Sequence, residues 1–99
     1  MLLNLNIQDA NLGHADEFKA ELTRLFDAHQ RKRLILNLAD VQYIDSSFLG
    51  ALVAALKYVL PFKSDIVLVG LRKDIHNLFT LIRLDKVFKI YGNFNEALA

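Results

Sequence analysis

Two short apolar runs constrain this chain more than anything else in it. Leu34-Ile35-Leu36-Asn37-Leu38 and Ile66-Val67-Leu68-Val69 have strand length, and each is followed by a stretch of helical period. The first run is apolar on both faces. Such a strand must be covered on both sides, which is the condition of a central strand in a parallel sheet wrapped by helices.

The rest of the chain supplies the cover. Leu3, Leu5 and Ile7 alternate with Asn4, Asn6 and Gln8, so residues 2–7 read as a strand with one polar face. Residues 9–13 read as a loop. The spacing of Phe18, Leu22, Leu25 and Phe26 predicts a helix over residues 14–29, with Asp16 and Glu17 in its first turn, the end that favours acids. Gln30-Arg31-Lys32-Arg33 is a basic connector without interleaved aromatics and reads as a solvated loop. Leu49, Leu52, Val53, Leu56 and Leu60 predict a helix over residues 47–60, ended by Pro61. Gly50 inside it costs about 1 kcal/mol relative to Ala, which predicts a close approach of something to the backbone there. Gly70 closes the second apolar run. A helix over residues 72–82 buries Ile75, Leu78, Phe79 and Ile82. A strand over residues 87–91 follows, then a last helical turn or two over residues 93–98, capped by Asn93 or Asn95. The order β-α-β-α-β-α-β-α predicts right-handed crossovers and one α/β domain over residues 1–99, a mostly parallel four-stranded sheet flanked by helices.

Ninety-nine residues suffice for an ordinary core, and 54% apolar content with one Pro describes a compact chain. No apolar run is long enough to span a bilayer, and residues 1–10 carry no basic segment of the kind that opens a signal peptide. The absence of Cys excludes a disulfide framework and a thiolate metal site. A net charge of +1 offers no basis for nucleic-acid binding. The expectation is a cytoplasmic protein without membrane insertion and without a cofactor.

The stretch Asp40-Val41-Gln42-Tyr43-Ile44-Asp45-Ser46-Ser47-Phe48-Leu49-Gly50 joins the first apolar run to its helix. An acid and two hydroxyls stand where the helix begins, a place where a side-chain oxygen can accept from unpaired N–H groups. The start of a helix also tolerates an added anion. A phosphate on Ser46 would bring a charge of about −1.5 to −2, altering the surface more than the fold. By spacing alone, a helix cap at Ser46 or Ser47 is the better explanation of the hydroxyls by a wide margin.

Other chemistry finds little warrant. His14, His29 and His76 are far apart and form no metal-ligand pair. The serine turn lacks a G-x-S-x-G elbow, and there is no P-loop or G-x-G-x-x-G. A phospho-accepting Asp40 or Asp45 would need an acidic companion for Mg²⁺, for which Asp9 is the sole early candidate.

The chain resembles the STAS domain family, of which anti-sigma-factor antagonists are members. The residues that carry the likeness are Leu36-Asn37-Leu38-Ala39-Asp40-Val41, Tyr43-Ile44-Asp45-Ser46-Ser47-Phe48-Leu49-Gly50-Ala51-Leu52, Ile66-Val67-Leu68-Val69-Gly70, Ile75, Leu78, Phe79, Leu84-Asp85-Lys86-Val87-Phe88-Lys89-Ile90-Tyr91 and Glu96-Ala97-Leu98. The resemblance implies a phosphorylation site at Ser46, the Ser directly after the Asp. It implies a non-enzymatic partner switch: unphosphorylated, the protein binds an anti-sigma factor that is a serine kinase; phosphorylated, it lets go; a phosphatase resets it. The implied contact surface is Asp45, Ser46, Ser47, Phe48 and Leu49, with Asn11 from the loop at residues 9–11. The alternative the family offers is a structural subunit of a stress-signalling or lipid-transport complex, docking through the same surface without phosphorylation.

Three departures from the family pattern stand out. Phe48 occupies a position where many members have Gly, and is either an anchor for a partner or a core residue. Asp9-Ala10-Asn11 replaces the usual G-E-L-D pattern. The chain begins at the family's second strand, which predicts an open sheet edge and, through it, a homodimer.

Overall fold

The computed structural model describes residues 2–30 and 32–98, so Arg31 of the basic connector lies outside the described residues. Four strands form the main sheet: β1 (Leu2–Asn4), β3 (Leu34–Asn37), β5 (Ile66–Val69) and β6 (Lys89–Tyr91). They lie side by side in that order, all parallel, with Leu2 opposite Ile35, Ile35 opposite Val67 and Val67 opposite Lys89. Between them run the helices α1 (Leu12–Ala28), α2 (Ser46–Val59) and α3 (Lys73–Leu81). A separate two-stranded ladder pairs β2 (Asp9–Ala10) with β4 (Tyr43–Ile44), and a short helix α4 (Phe94–Leu98) follows β6.

The alternation of side chains along β3 and β5 sorts the core into two layers. Leu34, Leu36, Ile66 and Leu68 join Leu22 and Phe26 of α1, Leu52 and Leu56 of α2, and Ile75 and Phe79 of α3 in one apolar cluster. Ile35, Val67 and Val69 face the other way and meet Ala97 of α4. Both faces of the central strands are therefore covered, as their composition requires. β1 and β6 are the sheet edges.

The predicted elements shift at their ends for local reasons. α1 begins two residues earlier than the periodicity suggests, because Asn11 caps it: its Oδ1 accepts from the Gly13 N–H at 2.9 Å. Asp16 and Glu17 consequently fall beyond the first turn, which contains no acid. α2 starts at Ser46, with Asp45 as its cap, and passes at Leu60–Phe62 into a 3₁₀ turn around Pro61. β6 is shorter than the predicted strand because Leu84–Lys86 form a 3₁₀ turn ahead of it. At α4, Asn93 is the cap: its Oδ1 accepts from the Glu96 N–H at 2.9 Å, while the Glu96 carboxylate accepts from the Gly92 N–H at 2.8 Å.

Candidate functional site

The candidate site lies where the segments leaving β1 and β3 meet. Neither segment enters its helix directly. Each first contributes two residues to the β2–β4 ladder, in which Asp9 stands opposite Tyr43 and Ala10 opposite Ile44. The Gln8 carbonyl accepts from the N–H groups of Gln42 and Tyr43 at 2.8 and 3.0 Å, and the Ala10 carbonyl accepts from the Asp45 N–H at 2.9 Å. These bonds bring the first turns of α1 and α2 together.

Asp45 is the residue both turns share. Its Oδ1 accepts from the Phe48 N–H at 2.9 Å, capping α2. Its Oδ2 accepts from the Leu12 N–H, the first of α1, also at 2.9 Å. One carboxylate thus satisfies an orphan donor on each of two helices and sits at two positive dipole ends. Of the acid and two hydroxyls at the start of α2, the acid is the cap. Ser46 and Ser47 occupy the first two helical positions with exposed side chains, their hydroxyls released from any capping duty.

The other predicted surface residues divide. Leu49 is half-buried and packs on the core. Asn11 is half-buried and holds the first turn of α1 through its carbonyl oxygen. The placing of Phe48 on the contact surface is corrected: its side chain is 0% exposed and its ring lies 4.7 Å from that of Phe18, centroid to centroid. The third residue of α2 points inward, so a large apolar side chain there fills the space between α1 and α2 and presents nothing to a partner. Nor does Gly50 admit a close approach from within the molecule; a Cβ built on it meets nothing within 4 Å.

Two residues at the site escape the sequence reading. Leu12 is 68% exposed and Tyr43 57% exposed, and both flank the Asp45–Ser46 turn through the bonds above. Asn is a favoured helix cap as well as a loop residue, and read as a cap Asn11 places Leu12 at the head of α1. Tyr43 stands in an apolar-looking stretch, and nothing in the sequence distinguishes its exposure from the burial of Ile44.

The histidines do not gather at this turn. His14 lines a groove with Leu3, Ile7 and Phe18, His76 lines another with Ile90 and Tyr91, and His29 ends α1. Among the described residues no three His, Asp or Glu side chains form a metal-ligating group, and no helix is long and apolar enough to cross a membrane.

A family profile described as STAS domain matches residues 9–97. A Thermotoga neapolitana protein named as a candidate anti-sigma factor antagonist is 32% identical over 94 residues, covering 95% of this chain and 79% of that protein. The anti-sigma-B factor antagonist of Listeria monocytogenes is 28% identical over 102 residues, covering 91% of this chain and 90% of its own length. The crystal structure of a candidate anti-sigma factor antagonist from Thermotoga maritima superposes with a TM-score of 0.86 at 28% identity, covering 98% of this chain and 84% of that one.

Proposed function

This chain belongs to the STAS domain family, and we propose that within it the chain acts as an anti-sigma-factor antagonist switched at Ser46. With Ser46 unmodified it binds an anti-sigma factor that is also a serine kinase, and the sigma factor is set free. With Ser46 phosphorylated it lets go, and a phosphatase restores it. The chain is then a kinase substrate and a regulator in the cytoplasm, not a catalyst.

The observation that carries this reading is the exposed Ser46, whose hydroxyl is not the cap of the helix it begins, next to the Asp45 carboxylate that holds the N–H of exposed Leu12. A phosphate there adds a charge of about −1.5 to −2 next to Asp45. The helix N-terminus tolerates that charge, so the fold survives. A partner that must desolvate it against Leu12, Tyr43 and its own matching surface does not. Release without unfolding is the requirement of a reversible switch.

A structural subunit would dock through the same surface permanently, and an exposed Phe48 would have supported that reading as a standing apolar contact. With Phe48 inside the domain, that support is gone.

Incubation with MgATP and the anti-sigma kinase encoded nearest to this chain, followed by intact mass and peptide mapping, tests the proposal. One phosphate on the peptide containing Ser46 is expected. Ser46→Asp should weaken kinase binding by about tenfold or more, equivalent to about 1.4 kcal/mol. Ser46→Ala should bind persistently in the presence of ATP. Equal affinity of the two variants removes Ser46 from the mechanism, and tight binding with no phosphate returns the structural-subunit reading.

A further inference from the structure

The geometry points to Asp45 as a positioning residue that transmits the covalent state of Ser46 to the first turn of α1, so that the contact surface is altered on two helices at once. The inference rests on the reading of Ser46 as the phosphorylated residue, and concerns what the phosphate does inside the molecule before any partner is met.

The two bonds of the Asp45 carboxylate are not equivalent. The bond to Phe48 closes within a single turn, three residues along the chain, in part-buried surroundings. The bond to Leu12 spans 33 residues, is exposed, and reaches a different helix. A phosphoryl group on Ser46 places a second anion at the same pair of helix N-termini. It repels the Asp45 carboxylate and so weakens the hold of that carboxylate on its two donors. The carboxylate has to yield one of its bonds. The local, part-buried cap is the one the backbone holds in place, so the long-range bond to Leu12 gives way.

Loss of that bond releases an N–H at the head of α1, next to a leucine that is 68% exposed. The rest of the turn stays held. Asn11 keeps the Gly13 N–H and its backbone carbonyl keeps the His14 N–H. The change is therefore confined to Leu12 and its approach to Ser46, the place where the proposed partner docks. Phosphate and displaced leucine act together: one adds charge to the surface and the other withdraws an apolar contact from it.

The test uses ¹⁵N-labelled protein with phosphoserine incorporated at position 46 during translation, so no kinase or partner is required. The Leu12 amide should shift upfield and exchange its proton about tenfold faster than in the unmodified protein, the loss expected for one exposed hydrogen bond. The Gly13 and Phe48 amides should hold their exchange rates. In Asp45→Asn the side chain retains one acceptor in place of two, so Leu12 is already released and phosphoserine adds no further change. Overturning results are an unaltered Leu12 amide in the phosphoserine protein, or the same phosphate-dependent change with Asn at position 45. The first shows that no signal reaches α1, and the second that the phosphate acts on Leu12 directly. Affinity for the anti-sigma kinase, measured separately on the same phosphoserine protein, tests the switch itself and can fail while the Leu12 result stands.

Discussion

The Ser64 hydroxyl is buried just ahead of β5 without a hydrogen-bond partner among the described residues. An unpaired buried polar atom costs about 1–3 kcal/mol in lost hydration, so removing it is favourable. Ser64→Ala should raise stability by about 0.5–1 kcal/mol, read as a higher urea midpoint at unchanged slope. Residues of this kind are invisible in a sequence, where Ser after Pro61-Phe62-Lys63 reads as an ordinary turn. Phe48 teaches the same lesson from the other side. Its type and place near a helix start allowed either an exposed anchor or a core residue, and only the packing of α1 against α2 decides. The helix start at Asp45 and Ser46 was legible because an acid and two hydroxyls ahead of an apolar period are a local signal, but which of the three is the cap was not, and it is Asp45. Nor was the bond from Asp45 to Leu12, since nothing in either stretch announces the other.

Gly50 and Gly70 show how differently two glycines serve their elements. Gly50 sits in the exposed face of α2 at an ordinary helical position with open space where a Cβ would go. Gly50→Ala should stabilise the isolated domain by about 1 kcal/mol, measurable by urea unfolding. Gly70 ends β5 with φ of +74°, and a Cβ there would lie 2.8 Å from the Asn37 Oδ1. That oxygen already accepts from the Ala39 N–H at 3.0 Å, while the Asn37 amide donates to the Asn4 Oδ1 at 2.9 Å. Gly70→Ala combines a left-handed backbone with a blocked side chain and should cost about 2 kcal/mol or more by the same measurement. The four main strands and four helices were legible because their apolar periods are sustained. The β2–β4 ladder was not, because two residues per strand are too few to show a period. It is nonetheless what aligns the two helix starts.

Across the whole molecule, the end of the sheet opposite the candidate site is held by charge. Asp65 receives the Arg33 Nε at 2.8 Å and the Lys89 Nζ at 3.2 Å, tying the entries to β3, β5 and β6 together. Partial burial pushes its carboxyl up, but the Arg33 hydrogen bond and then Lys89 outweigh it and hold the pKa below the ordinary aspartate value. A carboxylate depressed on folding contributes stability that is present above its unfolded pKa and is lost as pH falls through the depressed value. Asp65→Asn should therefore lower stability at pH 7 by about 1 kcal/mol or less, as befits a partly exposed pair, and should flatten the acid limb of the stability curve. The turn at Asp45 and Ser46 should be untouched by it. The strand order has a further consequence, for the way the chain assembles. Each strand of the main sheet pairs with the one that precedes it by a single helix, so every ladder closes over a loop of moderate length and none awaits a distant segment. Folding can thus advance in the direction of synthesis, strand upon strand, with the helical face completed as it goes. The back of β3 and β5 is covered only when α4 arrives, and until then Ile35, Val67 and Val69 form the sticky surface of a half-made protein.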